Sequence, residues 1–148
     1  MEITIDRLEK YAKANFYITD IPQAKPLYFM LKEVNELFDP NSIKVIYPKN
    51  LFLNDKQVEL FLFTDKKQII KVTYEKGEVH TDLYFSKNLS MYINISDYCR
   101  SLNIRFIDGD EIEFNSKNDT DHANTGSFND LIVSIWKVLL SGDKTVRD

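Results

Sequence analysis

Cysteine is almost absent from this chain: Cys99 stands alone among 148 residues. No internal disulfide can form, and nothing points to an oxidising compartment. Glycine and proline are scarce too, four of each, which excludes a collagen-like or linker-rich chain. The glycines fall at 77, 109, 126 and 142, too scattered for a phosphate-cradling loop, and neither G-x-S-x-G nor H-E-x-x-H occurs. Long apolar runs are missing. A stretch such as Leu60–Phe63 is far short of the roughly 20 residues that a bilayer-crossing helix needs. The opening residues MEITIDRLEK lack the basic start and apolar stretch of a secretory signal. A soluble cytoplasmic protein is expected. The bias toward 15 Lys over 4 Arg, with 15 Ile and 12 Asn, is that of AT-rich genomes and points to a bacterial or phage origin.

What the chain does hold is apolar and aromatic: 43% hydrophobic residues, with 10 Phe, 8 Tyr and 1 Trp. A chain of this size buries roughly 70% of its unfolded surface, so one core forms without disulfide or metal, and disorder is excluded. Periodicity predicts helices, then strands, then a helix. A first helix over 4–14 starts at an N-cap Thr4. In a second, Pro26 fits the first turn, Leu27, Met30, Leu31, Val34, Leu37 and Phe38 recur at helical spacing, and Asp39-Pro40 ends it.

From Ile43 to Phe114 the period drops to two, the mark of short antiparallel strands. Parity then constrains the hairpins, because paired residues share a face. A Lys76-Gly77 turn pairs Val72 with Thr81, Ile70 with Leu83 and Lys71 with Asp82. A Ser86-Lys87-Asn88 turn is expected to pair Phe85 with Leu89 and Leu83 with Met91. At Asp108-Gly109 a two-residue turn would set Phe106 against Glu111, so an odd loop is expected, with Phe106 opposite Ile112 and Arg105 opposite Glu113. The last helix reads as Ser127 to Ser141, with Ser127-x-x-Asp130 as a capping box, Trp136 as a core anchor and Gly142 as a C-terminal cap.

The expected domain is thus a single α+β unit over 1–142: a helical part at 1–40, a sheet at 43–115 and a capping helix at 127–141, with a frayed tail at 143–148. About seven strands closed by one amphipathic helix resemble bacterial pleckstrin-homology-like domains over residues 43–141. That resemblance implies a meander forming a partly open barrel. An alternative order, with a first strand at 1–5, resembles the helix-grip fold of lipid-carrying and pollen-allergen-like proteins. Its closing helix is normally longer than the one expected here.

Chemistry is thin. His80 alternates outward with Glu78 and Asp82 on a strand. Cys99 beside Arg100 is a candidate nucleophile, read here as a packed thiol at a strand end. No nucleophile, base and orienter can be assembled, so no enzyme, cofactor or metal is expected. The 19 basic residues are scattered, which disfavours nucleic acid. Charge concentrates in one place: residues 108–130 hold seven acids against one base, in a chain of net charge −4. Asp108, Asp110, Glu111, Asp119, Asp121 and His122 are therefore the candidate partner-binding residues, gathered on one exposed rim that suits a basic protein partner. The function expected is a non-enzymatic protein-binding or scaffolding module. The alternative is a carrier of a small apolar ligand in an internal cavity, and a homo-oligomer stays open.

Overall fold

A computed structural model describes residues 2–96 and 98–141. Thr4 caps α1 (Ile5–Asn15), its hydroxyl accepting from the Arg7 N–H at 3.1 Å. Helix α2 (Ala24–Leu37) stops at Asp39, whose carboxylate accepts from Asn41 N and caps a 3-10 turn at Pro40–Ser42. Seven strands follow: β1 (Ile43–Lys49), β2 (Glu59–Thr64), β3 (Gln68–Glu75), β4 (Glu78–Phe85), β5 (Ser90–Ser96), β6 (Cys99–Arg105) and β7 (Glu111–Asn115). A second 3-10 turn, His122–Asn124, leads into α3 (Thr125–Leu140). The domain is α+β, as expected. The expected Gly142 cap and the 143–148 tail lie outside the described residues.

The strands divide into two antiparallel sheets, ordered β1-β2-β3-β4 and β5-β6-β7. The β3–β4 hairpin has the expected register, with Val72 against Thr81, Ile70 against Leu83 and Lys71 against Asp82. Both turn residues lie at positive φ, Lys76 at 52° and Gly77 at 80°, the backbone that a two-residue hairpin demands. The expected β4–β5 hairpin does not form. Phe85 has no partner in Leu89, nor Leu83 in Met91, because the chain leaves one sheet at Ser86 and enters the other. Parity decides which residues share a face; it cannot decide whether neighbouring strands pair at all. Leu83 and Phe85 are left 46% and 64% exposed beside that open seam.

At the β6–β7 turn the parity argument holds but the register moves by two residues. Ile104 faces Ile112, Leu102 faces Phe114, and Arg105 faces Glu111 rather than Glu113. The Arg105 guanidinium closes on the Glu111 carboxylate at 2.6 Å, and Phe106 drops into the turn, where its ring stacks on Tyr84. The turn sits one residue earlier, with Phe106 N donating to the Asp110 carbonyl, so the apolar face stays intact and Arg105 pairs with Glu111 in place of Glu113.

Both faces of the first sheet are covered. Tyr74 of β3 stacks with Phe29 of α2, on the side where Leu60, Leu62, Ile70 and Val72 are fully buried. On the other side Tyr47, Phe61 and Phe63 meet Phe114 of the second sheet at ring separations of 4.4, 5.0 and 6.0 Å, and Tyr47 meets Phe128 of α3 at 5.0 Å. A further device pins the connection after β1. The buried Gln23 side chain donates to the carbonyls of Asn50, Leu53 and Lys56 and accepts from Phe52 N. It thereby holds Phe52 at φ 73°, a conformation a bulky residue rarely adopts.

Helix α3 begins two residues before Ser127, so the expected capping box is displaced. The Asp121 carboxylate caps the entry instead, accepting from Asn124 N and its side-chain amide. Trp136 is half-buried, and the anchors are Phe128, Ile132 and Ile135, each 0% exposed. In urea unfolding, Phe128→Ala should cost about 3–5 kcal/mol, as for a fully buried aromatic, and Trp136→Ala less than half as much. Equal losses would mean that Trp136 carries the core after all.

Candidate functional site

The acidic segment does not form one rim. Strand β7 runs between its two parts, so the turn holding Asp108 and Asp110 lies at one end and the loop after Asn115 at the other. Four residue steps of extended chain, about 13 Å, separate them. Asp108, Asp110 and Glu111 are exposed, as is His122. Glu111 is paired with Arg105, and Asp121 is spent on the 3-10 turn before α3.

Asp119 departs furthest from expectation. It is 3% exposed and accepts from the Tyr47 hydroxyl at 2.6 Å and from Asn115 N at 2.7 Å, with Lys49 Nζ 3.9 Å away. Its backbone carbonyl accepts from Asn50 N, and Leu51 bridges to Thr120 next door. The residue therefore ties the β7–α3 loop to the end of β1 and offers nothing to a partner. Burial pushes its carboxyl above the usual carboxylate range, while the bonds from Tyr47 and Asn115 and the Lys49 charge pull it back only in part. Burial, then the Asp119 charge, drives the Tyr47 hydroxyl up as well. Cys99 is half-buried, its thiol 3.4 Å from Asn115 Oδ1, and His80 is exposed beside Glu78. Among the described residues no three His, Cys, Asp or Glu side chains gather as a metal would require, and no helix is long and apolar enough to cross a membrane.

The site that sequence reasoning missed is a groove open to solvent, of about 840 Å3, between the start of α1, the edge of β1 and one face of α3. Three stretches distant in sequence, joined by Asn35 and Pro40, build it. Ile3, Thr4, Ile5, Asp6 and Glu9 come from the α1 end, Ile43 to Ile46 from β1, and Ser127, Asp130, Leu131 and Ser134 from α3. The α3 residues fall at i, i+3, i+4 and i+7, one stripe of a helix. The floor is apolar, with Ile3, Val45, Ile46 and Leu131 each less than a tenth exposed. The walls are acidic: Glu2, Asp6, Glu9 and Asp130 line them against one base, Lys44, whose ammonium turns back to the Asn41 carbonyl at 3.4 Å. Asp6 is partly balanced by the exposed Lys10, and Glu9 accepts from Asn35. Along Ile43–Ile46 the backbone pairs with β2 on one side only. One sequence signal marked that edge: Pro48 inside β1, which cannot donate to a ladder and is confined to edge strands.

Fold and groove together define a two-sheet α+β domain with a helical hairpin on one face and β1 outermost in its sheet. The chain belongs to a family described as protein of unknown function (DUF3908), whose model matches residues 5–130, from the first residue of α1 through all seven strands into α3. Comparison with curated proteins and with solved structures gives no match.

The buried carboxyl sets a pH signature. The folded protein holds the Asp119 proton to higher pH than the unfolded chain does, so stability falls as pH rises from the ordinary carboxylate range through the raised pKa, and is level above it. Asp119→Asn removes that dependence. Between about pH 4 and about pH 7, the unfolding free energy of wild type minus variant should decline. A rising difference would mean that the Tyr47 and Asn115 bonds outweigh burial.

Proposed function

We propose that the protein is a non-enzymatic protein-binding module, built as a pleckstrin-homology-like domain, that docks its partner in the groove between α1, β1 and α3. The supporting observation is the conjunction of an open groove of about 840 Å3 with an unpaired strand edge. Ligand sites are concave, mostly apolar and furnished with few polar groups. The division into four and three strands, followed by one helix lying on β1 and β6, is the arrangement on which the pleckstrin-homology-like reading rests. The apolar-ligand carrier finds less support. Tyr47, Phe63, Phe114 and Phe128 occupy the space between the sheets and are all fully buried.

Ser134 is exposed on α3 and lines the groove, so Ser134→Trp fills it from a position with no core role. Peptides selected from a displayed random library on the wild-type protein should bind the variant at least about tenfold more weakly, with thermal stability unchanged. A library that yields no binder, or binders indifferent to Ser134→Trp, overturns the reading.

A further inference from the structure

We propose that the protein forms a two-fold dimer through the free edge of β5. Ser90–Ser96 of each copy pairs antiparallel with its counterpart about Ile93, joining two three-stranded sheets into one of six strands. This surface is separate from the groove, and the inference does not rest on it.

The two sheets have four outer strands, and three of them are guarded in the ways that natural edges are. Strand β1 holds Pro48 and a bulge between Ile43 and Val45, and its Val45 and Ile46 are buried. Strand β4 carries Glu78, His80 and Asp82 in exposed positions. On β7 the outward groups are taken: Lys49 donates to the Glu113 carbonyl, and Asn115 N donates to the Asp119 carboxylate. Strand β5 has none of these devices. Its sequence, SMYINIS, contains no charge, proline or glycine, and no residue of it is buried. Its pairing with β6 runs through seven consecutive partners without a bulge. Among the described residues, no main-chain bond joins β5 to anything but β6.

The bonds of Arg100 settle which main-chain groups are free. Arg100 N donates to Ser116 Oγ and Asn129 Oδ1, and its carbonyl accepts from Ser116 N. Its peptide groups therefore turn away from Ile95, the β5 residue opposite. In an antiparallel ladder bonded and non-bonded pairs alternate, so Met91, Ile93 and Ile95 point their N–H and C=O groups at the free edge. These three are spaced evenly about Ile93 and are complementary to their own antiparallel copy. Ile93 meets Ile93, and Met91 meets Ile95 of the second copy. In that register side chains keep their faces. Met91 and Ile93, packed against the core, continue into Ile95, which is 69% exposed in the single chain. On the other face Tyr92, 55% exposed, lies across from Asn94, and Ser90 from Ser96.

Charge selects a second copy as the occupant. A neutral strand meets itself without repulsion, whereas two β4 strands paired about His80 would set Glu78 against Asp82, acid opposite acid. The contact is isologous and closes at two, because the β7 edges left outermost are occupied by Lys49 and Asp119. One strand edge is less than the roughly 800 Å2 per partner of a standard interface. The dimer is accordingly a weak one, with a dissociation constant of micromolar order.

The test is sedimentation of the full chain from roughly 1 to 500 μM, where the mass should rise from one chain toward two across the micromolar range. Ile95→Lys and Asn94→Lys, both at exposed positions, should weaken association at least about tenfold with thermal stability unchanged. Ser134→Trp should leave it as in wild type. Amide exchange at Met91, Ile93 and Ile95 should slow at high concentration, while Tyr92 and Asn94, already bonded to β6, should not change. In a Cys99→Ser background, mild oxidation of mixed Tyr92→Cys and Asn94→Cys chains should give a cross-linked dimer faster than either variant alone. A chain that stays monomeric to 500 μM, association indifferent to both lysine variants, or equal cross-linking in the single and mixed samples overturns the proposal. Dissociation by Ser134→Trp would place the contact in the groove and overturn it as well.

Discussion

The ring of Phe114 is the contact on which the two-sheet arrangement depends. It is fully buried on β7 and touches Tyr47, Phe61 and Phe63 across the gap between the sheets. Aromatic pairs at such separations add to the burial of their area, and here one ring from the second sheet engages two strands of the first. Tyr47 extends the cluster to Phe128, so the same contact seats α3. It also reaches outward through its hydroxyl to Asp119, which fixes the loop between β7 and α3. A buried carboxyl is costly unless hydrogen-bonded, and Asp119 is kept in place by two donors. Removing the aromatic cluster would release sheet, helix and loop together.

The groove is a consequence of that stacking. The second sheet lies on the first rather than extending it, so β1 keeps one side free. The helical hairpin covers the opposite face and brings the start of α1 round to the β1 edge, while α3 closes the third side. The family match runs from α1 through β7, so the helical hairpin belongs to the matched unit as fully as the strands do. Beyond the ends of β1 and β7, Leu51 bridges to Thr120 and Asn50 N donates to the Asp119 carbonyl, while Lys49 reaches the Glu113 carbonyl. The two sheets touch there without zipping shut, and the edge toward Ile43 stays open.

Charge works differently in the two acidic regions. Around β7 the acids are consumed by structure: Glu111 by Arg105, Asp121 by a helix entry, Asp119 by Tyr47. In the groove they converge from separate elements, with Lys10 beside Asp6 and Asn35 donating to Glu9.

Sequence alone determined the local terms. Thr4 as a cap, Asp39-Pro40 as a stop and the Lys76-Gly77 turn with its register all follow from interactions within a few residues or from the period of two. The α+β order of elements follows from the same periodicities. Even the unbroken Leu60–Phe63 run carried a further message, since a strand apolar at every position is buried on both faces. Tertiary structure decided the rest. Whether β4 pairs with β5, which register β6–β7 adopts, and whether Asp119 faces water or Tyr47 all depend on more than the period along the chain. The groove is the extreme case. Residues 2–9, 43–46 and 127–134 share no pattern along the chain, and only the stacking of one sheet on the other brings them to a common edge.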